Sequence, residues 1–344
     1  MMLACEATSG MRWGDFTSFL VFGAFAFVFV AALGWPTVLL LRRLSFRQKA
    51  YEFAPQSHAV KTGTPTMGGV MFAAVLLGVG LCAGLLEAPR SLHVVELVLL
   101  GLACGAIGFV DDYSSIVRGR NRGLSARTKF ALTGLVGAAF LVAVAFTPDH
   151  IATDSVGIGN FALHVPQAVW YALGLAVLLS TTHAVNLTDG LDGLAAGTIV
   201  APLILLAYIA GHAYATWAVG AVDLAMAGAV LGFLIYNRHP ARVIMGDTGA
   251  LLLGGILAGS TIMLDQQLLL PIIGGVFAAE ALSVILQVAY FKRTKKRIFR
   301  MSPLHHHFEL AGWPETKVTA RFWAASFVLS LLGLAFTAVG TAAP

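Results

Sequence analysis

Ten stretches of about 20 predominantly apolar residues divide this 344-residue chain, and no soluble globular fold can bury that many. They run roughly 16 to 41, 67 to 86, 94 to 110, 129 to 147, 168 to 187, 194 to 211, 214 to 236, 248 to 264, 268 to 290 and 318 to 340. Composition agrees: 58% of residues are hydrophobic, only 11% are charged, and the mean hydropathy is +0.82. The expected fold is an all-α polytopic membrane protein with ten transmembrane helices. The first stretch is too long for a signal-peptide core and runs into "RRLSFRQK" rather than a small-residue cleavage site, so it reads as a retained span. About 15 residues precede it, which allows a later start at Met11.

Basic residues near span ends are held on the cytoplasmic side. Loops 42 to 66, 111 to 129, 187 to 193, 237 to 247 and 291 to 321 hold five, five, none, two and eight Lys or Arg, and only Arg12 and Arg90 lie elsewhere. With those loops inside, both termini are periplasmic. The formal net charge of +5 therefore describes a basic cytoplasmic face suited to anionic lipid headgroups or an anionic soluble substrate. No nucleic-acid-binding motif accompanies it. On the outer side, "VGIGNFALHV" (156 to 165) places Gly159-Asn160 where a short hairpin would turn. Cys5, Cys82 and Cys104 have no metal spacing and read as small packing residues.

Five carboxylates gather at the cytoplasmic ends of spans. Acids at membrane depth are costly and face a cavity, a partner or an ion. In "GFVDDYSS", Asp111 and Asp112 point about 100° apart if the helix continues through them, so they serve different ends. In "NLTDGLDGLAAG", Asn186, Asp189 and Asp192 recur every third residue, near one face of a helical turn, while Gly190 and Gly193 permit close backbone approach. "NRHPARVIMGDTGALLLGG" adds Asn237 and Asp247; an Asp opening a helix is commonly a cap. A Mg²⁺ ion takes one or two carboxylates plus substrate phosphates, so five acids exceed one such site and some must orient or bind instead.

"KTGTPTMGGVMF" (61 to 72) offers a cation in Lys61, hydroxyls in Thr64 and Thr66, and accessible backbone N–H groups at Gly68-Gly69. "PLHHHFEL" (303 to 310) follows the basic run "KRTKKRIFR" (292 to 300). Three adjacent imidazoles share no helix face, which disfavours a His-only zinc site. A solvated loop and the lining of an anionic-ligand pocket are the other readings.

In order along residues 61 to 323, "KTGTPTMGG", "GFVDDY", "RNRGLSARTKF", "NLTDGLDGLA", "NRHPARVIMGDTG", "MSPLHHHFEL" and "GWPETKVTARFW" resemble the phospho-N-acetylmuramoyl-pentapeptide transferase family. That family lies within the polyprenyl-phosphate N-acetylhexosamine-1-phosphate transferase superfamily, and "PTMGG" with "SPLHHHFEL" separates it from N-acetylglucosamine-transferring relatives. The resemblance implies transfer of phospho-MurNAc-pentapeptide from UDP-MurNAc-pentapeptide to undecaprenyl phosphate at the inner face of the bacterial cytoplasmic membrane, giving lipid I and UMP. It implies Mg²⁺ on Asp247, with Asp111, Asp112 and Asp189 completing the polar centre. It also implies a nucleotide or phosphate pocket of Lys61, Thr66, Asn186, Asp192, Asn237 and Gln287, substrate contacts from His305 and His306, and a homodimer, for which small-residue faces such as "GLACGAIG" would suffice. Two positions depart from the family pattern: Ser115 stands where members often carry Lys, which moves a phosphate contact to the Arg118 to Arg122 cluster, and Ile244 stands where members often carry Phe.

A secondary transporter is the rival class, with Glu280 in the ninth span as a proton relay. No internal repeat is visible, and the acids cluster on one side rather than at the midplane. Pairing of Glu280 with a polar neighbour is the plainer role. A UDP-N-acetylglucosamine-using transferase is the nearer rival.

Overall fold

A computed structural model describes residues 16–44, 63–85, 91–118, 123–147, 153–212 and 217–338. Cys5, Met11, Lys61, Arg120 and Arg122 lie outside the described residues, as do the readings placed on them. The helices are α1 (Phe16–Arg43), α2 (Val70–Leu85), α3 (Ser91–Val117), α4 (Ala126–Phe146), α5 (Gln167–Thr188), α6 (Leu194–His212), α7 (Trp217–Asn237), α8 (Gly246–Met263), α9 (Leu270–Ile273), α10 (Gly275–Thr294), α11 (Leu304–Leu310) and α12 (Glu315–Ala338). Among the described residues nine helices are long and apolar enough to cross a membrane, and Val70–Cys82 is a shorter apolar helix. The chain is a mostly helical, multi-pass membrane protein.

α8 is the axis of the fold. Every residue from Thr248 to Met263 is buried, as expected of a helix that is apolar all round. α3, α5, α2, α6 and α7 pack on it, and its glycines let them approach. "GLACGAIG" serves this contact: a Cβ on Gly101 would strike Ile256 at 2.6 Å, one on Gly105 would meet Leu252 at 3.1 Å, and one on Gly108 would strike the Asp247 backbone. The small-residue face expected to pair two copies is thus spent inside the chain. In lipid, where the hydrophobic effect does not drive helices together, small residues allow the close approach on which van der Waals packing depends.

The span expected over 268 to 290 is broken. α9 carries Pro271 in its first turn and ends at Gly274, and α10 starts afresh at Gly275. α10 turns one face inward, Val276, Phe277, Glu280, Ser283 and Gln287. Against the connection between α8 and α9, β1 (Ser155–Ile158) and β2 (Phe161–His164) form an antiparallel hairpin around Gly159-Asn160. Gln266 fastens it, accepting from Gly159 N–H at 2.7 Å and donating to Gly159 O at 2.9 Å.

Candidate active site

α3 continues through both aspartates, and they part as the 100° step requires. Asp112 turns to the first turn of α8: its carboxylate accepts from Asp247 N–H at 3.2 Å, Thr248 N–H at 3.0 Å and the Thr248 hydroxyl at 2.7 Å. α8 has no side-chain cap of its own, so Asp112 supplies the missing acceptor from another helix. That frees Asp247, which had read as a possible cap. Gly108, one turn before Asp112, permits the contact because a side chain there would overlap the Asp247 carbonyl.

The Asp247 carboxylate faces away from its own helix. Oδ1 accepts from Asn186 Nδ2 at 2.7 Å, and Oδ2 pairs with the Lys129 ammonium. Lys129, in the first turn of α4, also stands 3.3 Å from Asp111 Oδ2, while Asp111 Oδ1 accepts from Leu124 N–H at 2.7 Å. Four spans therefore send one polar group each to a common centre. Two carboxylates, from Asp111 and Asp247, about one position that attracts a cation are oxygen donors of the kind that a hard divalent ion such as Mg²⁺ takes. Lys129 stood within the motif "RNRGLSARTKF" with no role given to it; its signal was a cation, beside Arg127, in the first turn of a span on the acidic side.

The "NLTDG" segment does not continue as a helix. α5 ends at Thr188 with Asp189 as its C-cap, and Gly193 has φ +73°. Asn186 stays on α5 and reaches Asp247. Asp192, beyond the helix, instead meets His239, whose Nδ1 is 3.1 Å from Asp192 Oδ2. The shared face expected for these residues is lost because the turn intervenes. Asn237 accepts from Gly193 N–H at 3.1 Å and donates to Val243 O at 2.9 Å, joining this turn to the segment leading into α8. The Thr66 segment joins the same structure: Ile244 N–H donates to Pro65 O at 2.8 Å, and Gly68 N–H to Ile244 O at 2.9 Å. Thr66 is buried there.

The matched family model is glycosyl transferase family 4, over residues 94–265, which takes in the whole of this centre. Curated relatives extend the likeness to nearly the whole chain. A phospho-N-acetylmuramoyl-pentapeptide transferase of Desulforudis audaxviator is 44% identical over 329 residues, 92% of this chain and 97% of that relative. One of Heliobacterium modesticaldum is 46% identical over 320 residues, 90% and 96% of the two chains. One of Desulforamulus reducens is 44% identical over 328 residues, 93% and 96%. This chain belongs to the phospho-N-acetylmuramoyl-pentapeptide transferase family.

In this transferase the three histidines take three partners. His305 is 1% exposed; its N–H donates to Glu280 Oε1 at 3.1 Å and its Nδ1 lies 3.2 Å from Glu280 Oε2. Glu280 is fully buried, so its place is beside His305, the pairing role weighed against a relay. Gly190 makes room for the imidazole: a Cβ there would come within 2.8 Å of His305 Cε1. The histidine helix α11 thus packs on the Asp189 turn. His306 Nδ1 bonds Glu309 Oε2 at 2.7 Å, and His307 Nδ1 accepts from Arg300 N–H at 3.1 Å.

Gln287 works on the backbone. Its Oε1 accepts from Ile298 and Phe299 N–H, each at 3.0 Å, and its Nε2 donates to Phe299 O at 3.2 Å, which shapes the loop between α10 and α11. Ser115 is half-buried on α3. Arg118 turns to Gly123 O at 3.4 Å. His183, one turn before Asn186 on α5, stacks on Phe130 with centroids 5.4 Å apart, another residue that sequence reading passed over.

Proposed function

We propose that this chain transfers phospho-MurNAc-pentapeptide from UDP-MurNAc-pentapeptide to undecaprenyl phosphate, releasing UMP and forming lipid I, at the inner face of the bacterial cytoplasmic membrane. The observation that carries the proposal is the Asp247 carboxylate, freed from capping by Asp112 and aimed into a centre shared with Asp111, Asn186 and Lys129, in a chain of this family.

Asp247, with Asp111 beside it, would hold Mg²⁺, which when bound supplies positive charge to the donor's pyrophosphate. The lipid phosphate has a second pKa of about 6 and is largely dianionic near neutrality, so its oxygen needs no strong base. It attacks the phosphorus adjoining the sugar in line; the P–O bond to the other phosphate breaks, and UMP leaves with that oxygen. Lys129 offsets charge on the reacting phosphates, and Asp111 orients the incoming one. Asp189, Asp192, Asn237, Thr66 and Lys61 belong to the donor's nucleotide and phosphate pocket, and His306 to its rim, with the buried His305 packed behind the Asp189 turn.

A polyprenyl chain needs an apolar berth reached from the bilayer. A cavity of about 260 Å³ between α5, α8 and α10 is lined by Val177, Leu257, Pro271, Phe277 and Leu282. Two of its walls, α5 and α8, are the helices that carry Asn186 and Asp247. Ten spans, periplasmic termini and contact of the basic cytoplasmic face with lipid headgroups complete the reading. A homodimer belongs to it too, through faces other than the glycine row of α3.

The test is UMP release by detergent-purified protein given UDP-MurNAc-pentapeptide, undecaprenyl phosphate and Mg²⁺, beside Asp247→Ala. Release that requires lipid and metal and vanishes in the variant supports the proposal. Release only with UDP-N-acetylglucosamine would move the chain to the sister branch, and a phosphorylated enzyme competent for transfer would replace direct attack with a covalent route.

A further inference from the structure

Three residues on one face of α12, Glu315, Thr319 and Trp323, spaced four apart, meet the backbone of two consecutive residues in the turn between α5 and α6. Glu315 Oε1 accepts from Asp192 N–H at 2.6 Å, the Thr319 hydroxyl donates to Asp192 O at 3.5 Å, and Trp323 Nε1 donates to Gly193 O at 3.0 Å. The Asp192 carboxylate, nearly buried at 6% exposure, accepts from Ala241 N–H at 3.0 Å. His239 closes the arrangement: its Nδ1 lies 3.1 Å from Asp192 Oδ2 and 3.4 Å from Glu315 Oε2.

A buried carboxylate must be met by donors. Here one imidazole, from the connection between α7 and α8, stands between two carboxylates, one from the turn between α5 and α6 and one from the start of α12. Among the described residues these three side chains are also the one set whose possible metal-ligand atoms all lie within 4.8 Å of one another. Each carboxylate already takes a backbone N–H, and an imidazole Nδ1–H directed between them satisfies the group without an ion. That tautomer is inferred from the hydrogen-bond network.

We propose that His239 and Glu315 are positioning residues for the donor nucleotide: together they lock Asp192 and the turn behind it in the orientation that presents Asp192 to the nucleotide. The inference rests on the reading above that Asp192 belongs to the nucleotide pocket. Neither residue has to touch the substrate. Because two connections and the start of α12 meet here, losing the imidazole frees the Asp192 turn while α5 and α8 keep Asn186 and Asp247 in place.

The experiment measures KM for UDP-MurNAc-pentapeptide, KM for undecaprenyl phosphate, and kcat in His239→Ala, His239→Asn, Glu315→Gln and Asp192→Asn. A hydrogen bond to a carboxylate is lost, so His239→Ala raises the nucleotide KM about tenfold and leaves the lipid KM and kcat within about twofold. His239→Asn restores the nucleotide KM to within about threefold, because its amide N–H stands near the place of ring Nδ1. A nucleotide KM unchanged in both His239→Ala and Glu315→Gln, or an equal loss in the alanine and asparagine variants, would overturn the inference. So would zinc that co-purifies with the wild type and is lost in His239→Ala, which would make the group a cation site. If Asp192→Asn leaves the nucleotide KM unchanged, the pocket reading itself fails; if only Asp192→Asn raises it, the pocket stands and the positioning role falls.

Discussion

Asp112 on α3 caps the helix that carries Asp247, accepting from Asp247 N–H at 3.2 Å and from Thr248 N–H at 3.0 Å. One aspartate supplies structure and so leaves the other available to chemistry. Asp112→Ala removes the acceptor for two backbone N–H groups and the Thr248 hydroxyl, and a lost cap costs about 1 kcal/mol, more when the donors are buried. The expected outcome is a lower melting temperature in detergent together with lost transfer. Asp247→Ala abolishes transfer and lowers the melting temperature less, since α8 keeps its cap and Lys129 keeps Asp111. Thermal unfolding alongside UMP release separates the two; equal melting temperatures would contradict the division of labour.

Lys129 competes with any metal for the Asp247 carboxylate, because its ammonium pairs with Asp247 and stands 3.3 Å from Asp111. Lys129→Met leaves two carboxylates without their cation, and an interaction of a few kcal/mol at short range makes a shift of about tenfold reasonable. The Mg²⁺ concentration for half-maximal UMP release should fall by about that factor, while kcat also falls because a charge facing the phosphates is gone. A Mg²⁺ requirement that stays the same or rises would show that Lys129 does not contend for the metal position.

The apolar runs and the side on which the acids gather were legible because hydropathy and charge act locally along the chain. Packing was not. "GLACGAIG" reads equally well as a face for a second copy and as a face for α8, and only the folded arrangement assigns it to α8. The division between Asp111 and Asp112 followed from helix geometry, yet which one would serve α8 depended on a contact 135 residues away. Asn186, Asp189 and Asp192 looked like one face until the chain left the helix at Thr188. Lys129 and His239 stood inside quoted motifs, yet nothing local singled them out, since each matters through partners brought from other segments.

Gly190 and the buried His305 leave no room for a methyl group between them. A Cβ at 190 would reach within 2.8 Å of His305 Cε1, and His305 is held by Glu280 on its other side. Gly190→Ala therefore forces the histidine helix off the Asp189 turn, at a cost of about 1–3 kcal/mol for overpacking. The double variant with His305→Ala regains the space, so its melting temperature should exceed that expected from adding the two single effects. Strict additivity would mean that the two residues do not meet.

Asp265, in the turn after α8, lies outside the spans, and burial holds its carboxyl above the ordinary value, with the nearby Asp154 adding to the rise and the Ser155 and Gln267 hydrogen bonds opposing it. Its side chain accepts from the Ser155 hydroxyl at 2.8 Å, at the first residue of the hairpin. A carboxyl whose folded pKa is raised binds its proton more tightly in the folded state than in the unfolded one, so stability falls as pH rises. That loss begins near the unfolded value of about 4 and is complete above the folded one. Asp265→Asn keeps an acceptor for Ser155 and cannot ionise. Melting temperatures of the purified protein across that mildly acidic window should decline less with rising pH in the variant than in the wild type; parallel curves would show that Asp265 titrates as an ordinary surface carboxylate.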